Sequence, residues 1–222
     1  MTMKKKMLSL ACFLLVSLTA AQTPPPAPIL DTSGQELVTG VQYRIRSSTW
    51  GAGEGDINVD PLQLNSSCPL DLILGWRIFA GPGLPVTFHL PDVSEAGHPV
   101  RTSTEISIQF PTLSTDTACN DGGFWAVRFD SFLRGFGVTT GGSVGAGDSL
   151  FTIESAGGSL VHRLAYCPRI STTRVCGPLT ISFHGRLSVA LPEAHGVLSA
   201  VFERVDEDDD KGMIKMSTEK LK

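Results

Sequence analysis

Apolar and polar positions along this chain trade places in short runs. Residues 42–46, 84–90, 105–110, 124–129, 160–166, 179–183, 186–191 and 197–202 are each of strand length. Many of these runs alternate with period two and carry Val, Ile, Phe, Thr or Tyr, the pattern of a half-buried strand. Turn clusters separate them, such as Gly-Ala-Gly-Glu-Gly at 51–55 and Asn-Asp-Gly-Gly at 120–123. No segment sustains a 3.6-residue apolar stripe, and 23 glycines with 14 prolines disfavour long helices. The pattern predicts an all-β protein, a barrel or a sandwich. Trp125 and Phe129 fall on one face of a strand and are expected in the core.

The two ends of the chain differ from its middle. Lys4, Lys5 and Lys6 precede an uncharged apolar run over 7–18, too short to span a bilayer comfortably, and small residues follow at 19–21. Residues 1–21 are therefore expected to be a secretory signal, and residues 22–28 a proline-rich extended lead-in. One domain is expected over 29–205. No lysine occurs from Gln22 to Asp210, after which Lys211, Lys215, Lys220 and Lys222 follow an acidic run. Residues 206–222 are expected to be a charged, disordered tail. The formal net charge of −4 argues against nucleic acid or an anionic membrane as partner.

An oxidising compartment changes how the cysteines are read. Cys12 lies in the signal, leaving Cys68, Cys119, Cys167 and Cys176, an even set open to three connectivities. A zinc site is disfavoured, because there is no CxxC pair and neither His162 nor His184 has a histidine four residues away. No metal and no cofactor is expected. Asn65-Ser66-Ser67 is a glycosylation sequon just before Cys68. The glycine-rich stretch 135–147 lacks the Gly-Lys-Ser/Thr ending of a phosphate loop, and it reads as a turn between strands. No Gly-x-Ser-x-Gly elbow precedes a helix, so a hydrolase triad is not expected, and the chain is not read as an enzyme.

Several motifs taken in order resemble the plant Kunitz (soybean trypsin inhibitor type) family. Residues 29–37, Ile-Leu-Asp-Thr-Ser-Gly-Gln-Glu-Leu, followed by Tyr43-Arg44-Ile45, look like its opening signature, with Ser33 departing from the usual residue. Cys68-Pro69-Leu70 resembles its first half-cystine. Residues 103–110, Ser-Thr-Glu-Ile-Ser-Ile-Gln-Phe, resemble its Ser-Thr-Asp-x-x-Ile-x-Phe strand, and Trp125-Ala126-Val127 its central Trp strand. Tyr166-Cys167-Pro168 with Cys176 resembles its short second disulfide loop. The likeness runs from about Ile29 to Val205.

The resemblance implies a β-trefoil, a six-stranded barrel capped by three hairpins, with Cys68 bonded to Cys119 and Cys167 to Cys176. It implies a secreted monomer, in the extracellular space or the vacuole, whose partner is a target protease bound through a substrate-like loop. The spacing from Pro85-Val86 to Phe110 is similar to that of the cereal α-amylase/subtilisin inhibitor branch. That register places the reactive loop at Asp92, Val93, Ser94, Glu95 and Ala96, with Ser94 before the scissile bond. The trypsin-directed branch carries Arg or Lys there, and none occurs from Gly81 to Val100. A subtilisin-like or elastase-like target is therefore expected over trypsin. Arg101, the nearest base, aligns with a strand. Thr39 stands where trypsin-directed members often have a loop-bracing Asn, and its shorter reach predicts weaker bracing. Two other readings are α-amylase inhibition from a different surface and a storage or carbohydrate-binding trefoil without inhibitory activity.

Overall fold

The computed structural model describes residues 25–49, 55–63, 68–75, 82–113, 119, 121–170, 173–174, 176–182, 185–190 and 196–205. The signal segment, the sequon at Asn65 and the tail 206–222 lie outside the described residues.

Among the described residues the elements are strands with one 3-10 turn at Pro61–Gln63. Strands β1 (Tyr43–Ser47), β2 (Asp56–Val59), β3 (Leu72–Gly75), β4 (Thr87–His89) and β5 (Ser107–Gln109) occupy the first half. Then come β6 (Ala126–Asp130), β7 (Gly135–Thr139), β8 (Phe151–Ser155) and β9 (His162–Tyr166). The chain closes with β10 (Arg169–Ile170), β11 (Thr173–Arg174), β12 (Gly177–Ile181), β13 (Leu187–Val189) and β14 (Ser199–Arg204).

The main sheet runs β3-β2-β1-β14-β9-β12-β13-β7-β6, all antiparallel, with β8 also pairing β9. Its first strand returns to its last ones: Asp71, just before β3, bridges Thr139 of β7, and Ile73 bridges Arg186 next to β13. The sheet thus curls on itself. The β4–β5 hairpin is held through bridges from Val86 to Tyr43, Gln109 to Phe124 and Ile106 to Phe151. This is the β-trefoil that the resemblance implied.

Side chains that alternate inward fill the middle. Tyr43, Phe88, Phe110, Trp125, Phe151 and Phe202 are all fully buried. They touch in series: Tyr43–Phe88 at 5.8 Å, Phe88–Phe202 edge-on at 5.6 Å, Phe110–Trp125 at 5.5 Å and Trp125–Phe151 edge-on at 5.9 Å. Each such ring buries on the order of 150–250 Å² and adds a directional contact of about 1 kcal/mol. Cys68 and Cys119 are joined, as are Cys167 and Cys176. The second bridge ties the end of β9 to the start of β12, whose Gly177 pairs with Tyr166.

Two sequence expectations are corrected. Phe129 is 68% exposed and not core, because β6 runs past the barrel into a hairpin where Phe129 faces Phe136 at 6.0 Å. The start of the 135–147 stretch is the strand β7, not a turn. Gly135 and Gly137 still supply ladder groups without side chains, and Gly137 pairs with both Arg128 and Ser188. Strands β2, β3 and β8 were not marked by the sequence pattern at all.

Candidate functional site

The β4–β5 hairpin carries a long connection over residues 90–106. It leaves β4 through a turn in which the Val93 N–H donates to the Leu90 carbonyl at 3.2 Å. Pro91, at the second position, presets that turn. Asp92, Ser94, Glu95 and Ala96 are exposed, while Val93 is half-buried. Four of the five expected loop residues thus lie at the surface in one stretch, with Ser94 among them. Gly97 turns the chain back with φ +88°, a conformation that favours glycine.

The loop rests in part on Thr39, a buried residue only 3% exposed. Its hydroxyl donates to the Glu95 carbonyl at 3.2 Å and accepts from the His98 N–H at 3.0 Å. Its backbone N–H donates to the His98 carbonyl at 2.9 Å, and its own carbonyl accepts from the Gly97 N–H at 2.8 Å. Thr39 thus does brace the loop, through two bonds of its hydroxyl. A short hydroxyl suffices because the loop comes down to it. The neighbouring Gly40 permits this approach: a Cβ there would stand 2.6 Å from the Ala96 Cβ.

Thr39 is itself fixed from below. The preceding Val38 N–H donates to the Tyr43 hydroxyl at 3.1 Å. Arg204 donates to the same oxygen at 3.3 Å, and its Nε lies 3.4 Å from the Asp31 carboxylate. Asp31 is fully buried, and its Oδ1 accepts from the Ser33 N–H and hydroxyl and the Gln35 N–H. Burial alone would raise its pKa. The bonds from Ser33 and Gln35, with Arg204, outweigh burial and lower it. Ser33, the departure in the opening signature, is thus a working ligand of Asp31.

The remaining geometry is quickly placed. Glu95 approaches His98 only to 3.9 Å with its side chain 86% exposed, a surface pair of little energetic weight. Arg101 bridges Pro28 and donates to the Pro26 carbonyl at 3.5 Å. Below the loop, His89 packs on Phe124 at 5.2 Å, and burial pushes its pKa down against a raising bond from Gln109. Cys68, Cys119 and Asp121 lie close together, but the two sulfurs are bonded to each other and leave no thiolate for a metal. What the arrangement offers is a surface peptide segment over residues 92–96, anchored by Thr39 at Glu95, Gly97 and His98.

Comparison with known proteins bears on what that segment meets. The legume Kunitz family model, described as trypsin and protease inhibitor, matches residues 29–204. The chain is 34% identical over 161 residues to a 21 kDa seed protein of Theobroma cacao, across 69% of this chain and 70% of that one. It is 33% identical over 175 residues to Kunitz trypsin inhibitor 3 of Arabidopsis thaliana, across 75% and 73%. The solved structure of CrataBL, a trypsin inhibitor from Crataeva tapia, matches with a TM-score of 0.62 at 28% identity, over 77% of this chain and 99% of that one.

Proposed function

The chain belongs to the legume Kunitz family of trypsin and protease inhibitors, a family of inhibitors and not of enzymes, and from that premise we propose that it inhibits a subtilisin-like or elastase-like serine protease through residues 92–96. The expected signal segment makes it a secreted inhibitor, of the extracellular space or the vacuole. The observation that carries the reading is the four-bond clamp of Thr39 on Glu95, Gly97 and His98, next in sequence to the exposed, uncharged Ser94. A segment already held by fixed hydrogen bonds avoids part of the ordering cost a flexible peptide incurs on binding. Protease–inhibitor interfaces of about 1,600 Å² can on that account be very tight.

Specificity follows from Ser94 and Glu95. Ser94 offers a trypsin-type pocket no cation, so the buried charge pair that such a pocket rewards is forfeited. A shallow or apolar pocket accepts a small side chain without that loss. Glu95, just after the scissile bond in this register, keeps its carboxylate at the wet rim and limits affinity.

The test is a panel of purified proteases against the mature protein. The wild type inhibits subtilisin and not trypsin. Ser94→Arg gains trypsin inhibition, and Ser94→Pro loses subtilisin inhibition with an unchanged melting temperature. Nanomolar trypsin inhibition by the wild type, or subtilisin inhibition that survives Ser94→Pro, refutes the reading.

A further inference from the structure

The glycine-rich segment 141–147, which the sequence marks as a bare connection, lies directly beside the reactive loop. A Cβ on Gly145 would stand 3.5 Å from the Pro91 Cβ. The Gly145 N–H donates to the hydroxyl of the fully buried Ser107 at 3.0 Å. Ser107 pairs across the hairpin with His89, from which the reactive loop departs. The two loops therefore share one support.

The segment is as firmly built as the loop it flanks. Thr140, fully buried, donates to Asp121 at 2.6 Å, and the Arg128 guanidinium donates to the Gly141 carbonyl at 2.8 Å. The Gly142 N–H donates to the Phe124 carbonyl at 3.0 Å, and a Cβ there would stand 2.5 Å from the Trp125 carbonyl oxygen. The Ala146 N–H closes a turn on the Ser143 carbonyl at 3.2 Å. At the outside of this turn Val144 is 44% exposed, next to exposed Ser143, Gly145 and Gly147. No residue from 141 to 147 is charged.

We infer that residues 143–147 form a second contact surface for the target protease, with Val144 seated against a neutral or apolar rim of its cleft. This rests on the inhibitory reading above and deepens it. A standard interface takes about 800 Å² from each partner, more than five loop residues supply, so flanking surface must contribute. The flank given by the fold is rigid, so it costs little entropy to bury. It is uncharged, so it costs little to desolvate. Its glycines expose backbone that a partner can approach closely.

The test uses Val144→Asp and Gly147→Trp beside the wild type and Ser94→Pro, with subtilisin inhibition constants and melting temperatures for all four. Both positions tolerate change: Val144 lies on the surface, and a Cβ on Gly147 meets nothing within 4 Å. Each of the two variants is expected to keep its melting temperature and to inhibit about tenfold less tightly or worse, as a central contact would. If both inhibit within about twofold of the wild type while Ser94→Pro does not inhibit, the second surface is wrong and the inhibitory loop stands. If Ser94→Pro inhibits like the wild type, or the wild type does not inhibit, the loop assignment falls and this surface falls with it.

Discussion

Thr39→Val keeps the size of the side chain and deletes its hydroxyl. The Glu95 carbonyl then loses its donor and the His98 N–H loses its acceptor, bonds of 3.2 and 3.0 Å. At about 1 kcal/mol net for each, the fold should lose about 1–2 kcal/mol, since water reaches the half-exposed His98 and softens the loss. The backbone bonds of Thr39 to Gly97 and His98 remain, so the loop stays attached. The segment before Gly97 loosens by roughly one or two residues, whose reordering on binding costs about 1.4 kcal/mol apiece. Inhibition should therefore weaken about 10- to 100-fold. Three measurements check this: the inhibition constant, the rate of cleavage after Ser94, and amide exchange at His98, which should quicken. Thr39→Ser retains the hydroxyl and should behave nearly as the wild type. Wild-type inhibition by Thr39→Val with unchanged His98 exchange would refute the clamp.

The two disulfides close separations of 51 and 9 residues, so on chain entropy their loss should cost about 4 and about 2.5 kcal/mol respectively. Urea midpoints of the paired Cys→Ser variants decide this, and the reverse order counts against it. The Asp31 pKa is lowered in the fold, so its contribution is complete above the ordinary carboxylate value of about 3.9 and drains as pH falls through the folded value. Asp31→Asn should be less stable near neutrality, with the gap closing in acid; a gap independent of pH contradicts the assignment. Buried His162, whose Nε2–H donates to the Leu30 carbonyl at 3.2 Å, has its pKa lowered by burial against that bond. Its neutral form is the folded form, so stability is full above about pH 6.5 and declines below it. Melting temperatures of His162→Phe between neutral and mildly acidic pH should show a shallower slope than the wild type, and an equal slope would acquit His162.

Much of the barrel could be read from alternation, as at β1, where Tyr43 and Ile45 turn inward. What escaped did so for definite reasons. Strand β7 is hidden by glycines whose value lies in the ladder, and a composition rule reads them as turn. Phe129 sits at a core-like spacing on a strand that outruns its barrel. At the site, the loop position came from resemblance, since nothing in a stretch such as Asp-Val-Ser-Glu-Ala announces a binding loop. The clamp was illegible for a different reason: Thr39 and Glu95 are 56 residues apart, and only the closed fold brings a single hydroxyl under that carbonyl. The nearest sequence hint was Gly40, a small residue placed where another piece of backbone needed room.

The bridge between Cys68 and Cys119 straddles the loop, with Ser94 and Glu95 between its two ends. A protease that cuts there produces a nicked protein and not two molecules. The new termini stay tethered through the sulfur bridge and through the barrel, and on the Glu95 side through Thr39. Resealing the nick is then a unimolecular event, favoured by the high effective molarity that tethering confers. Exposure to protease should thus yield one band on a non-reducing gel and two after thiol treatment.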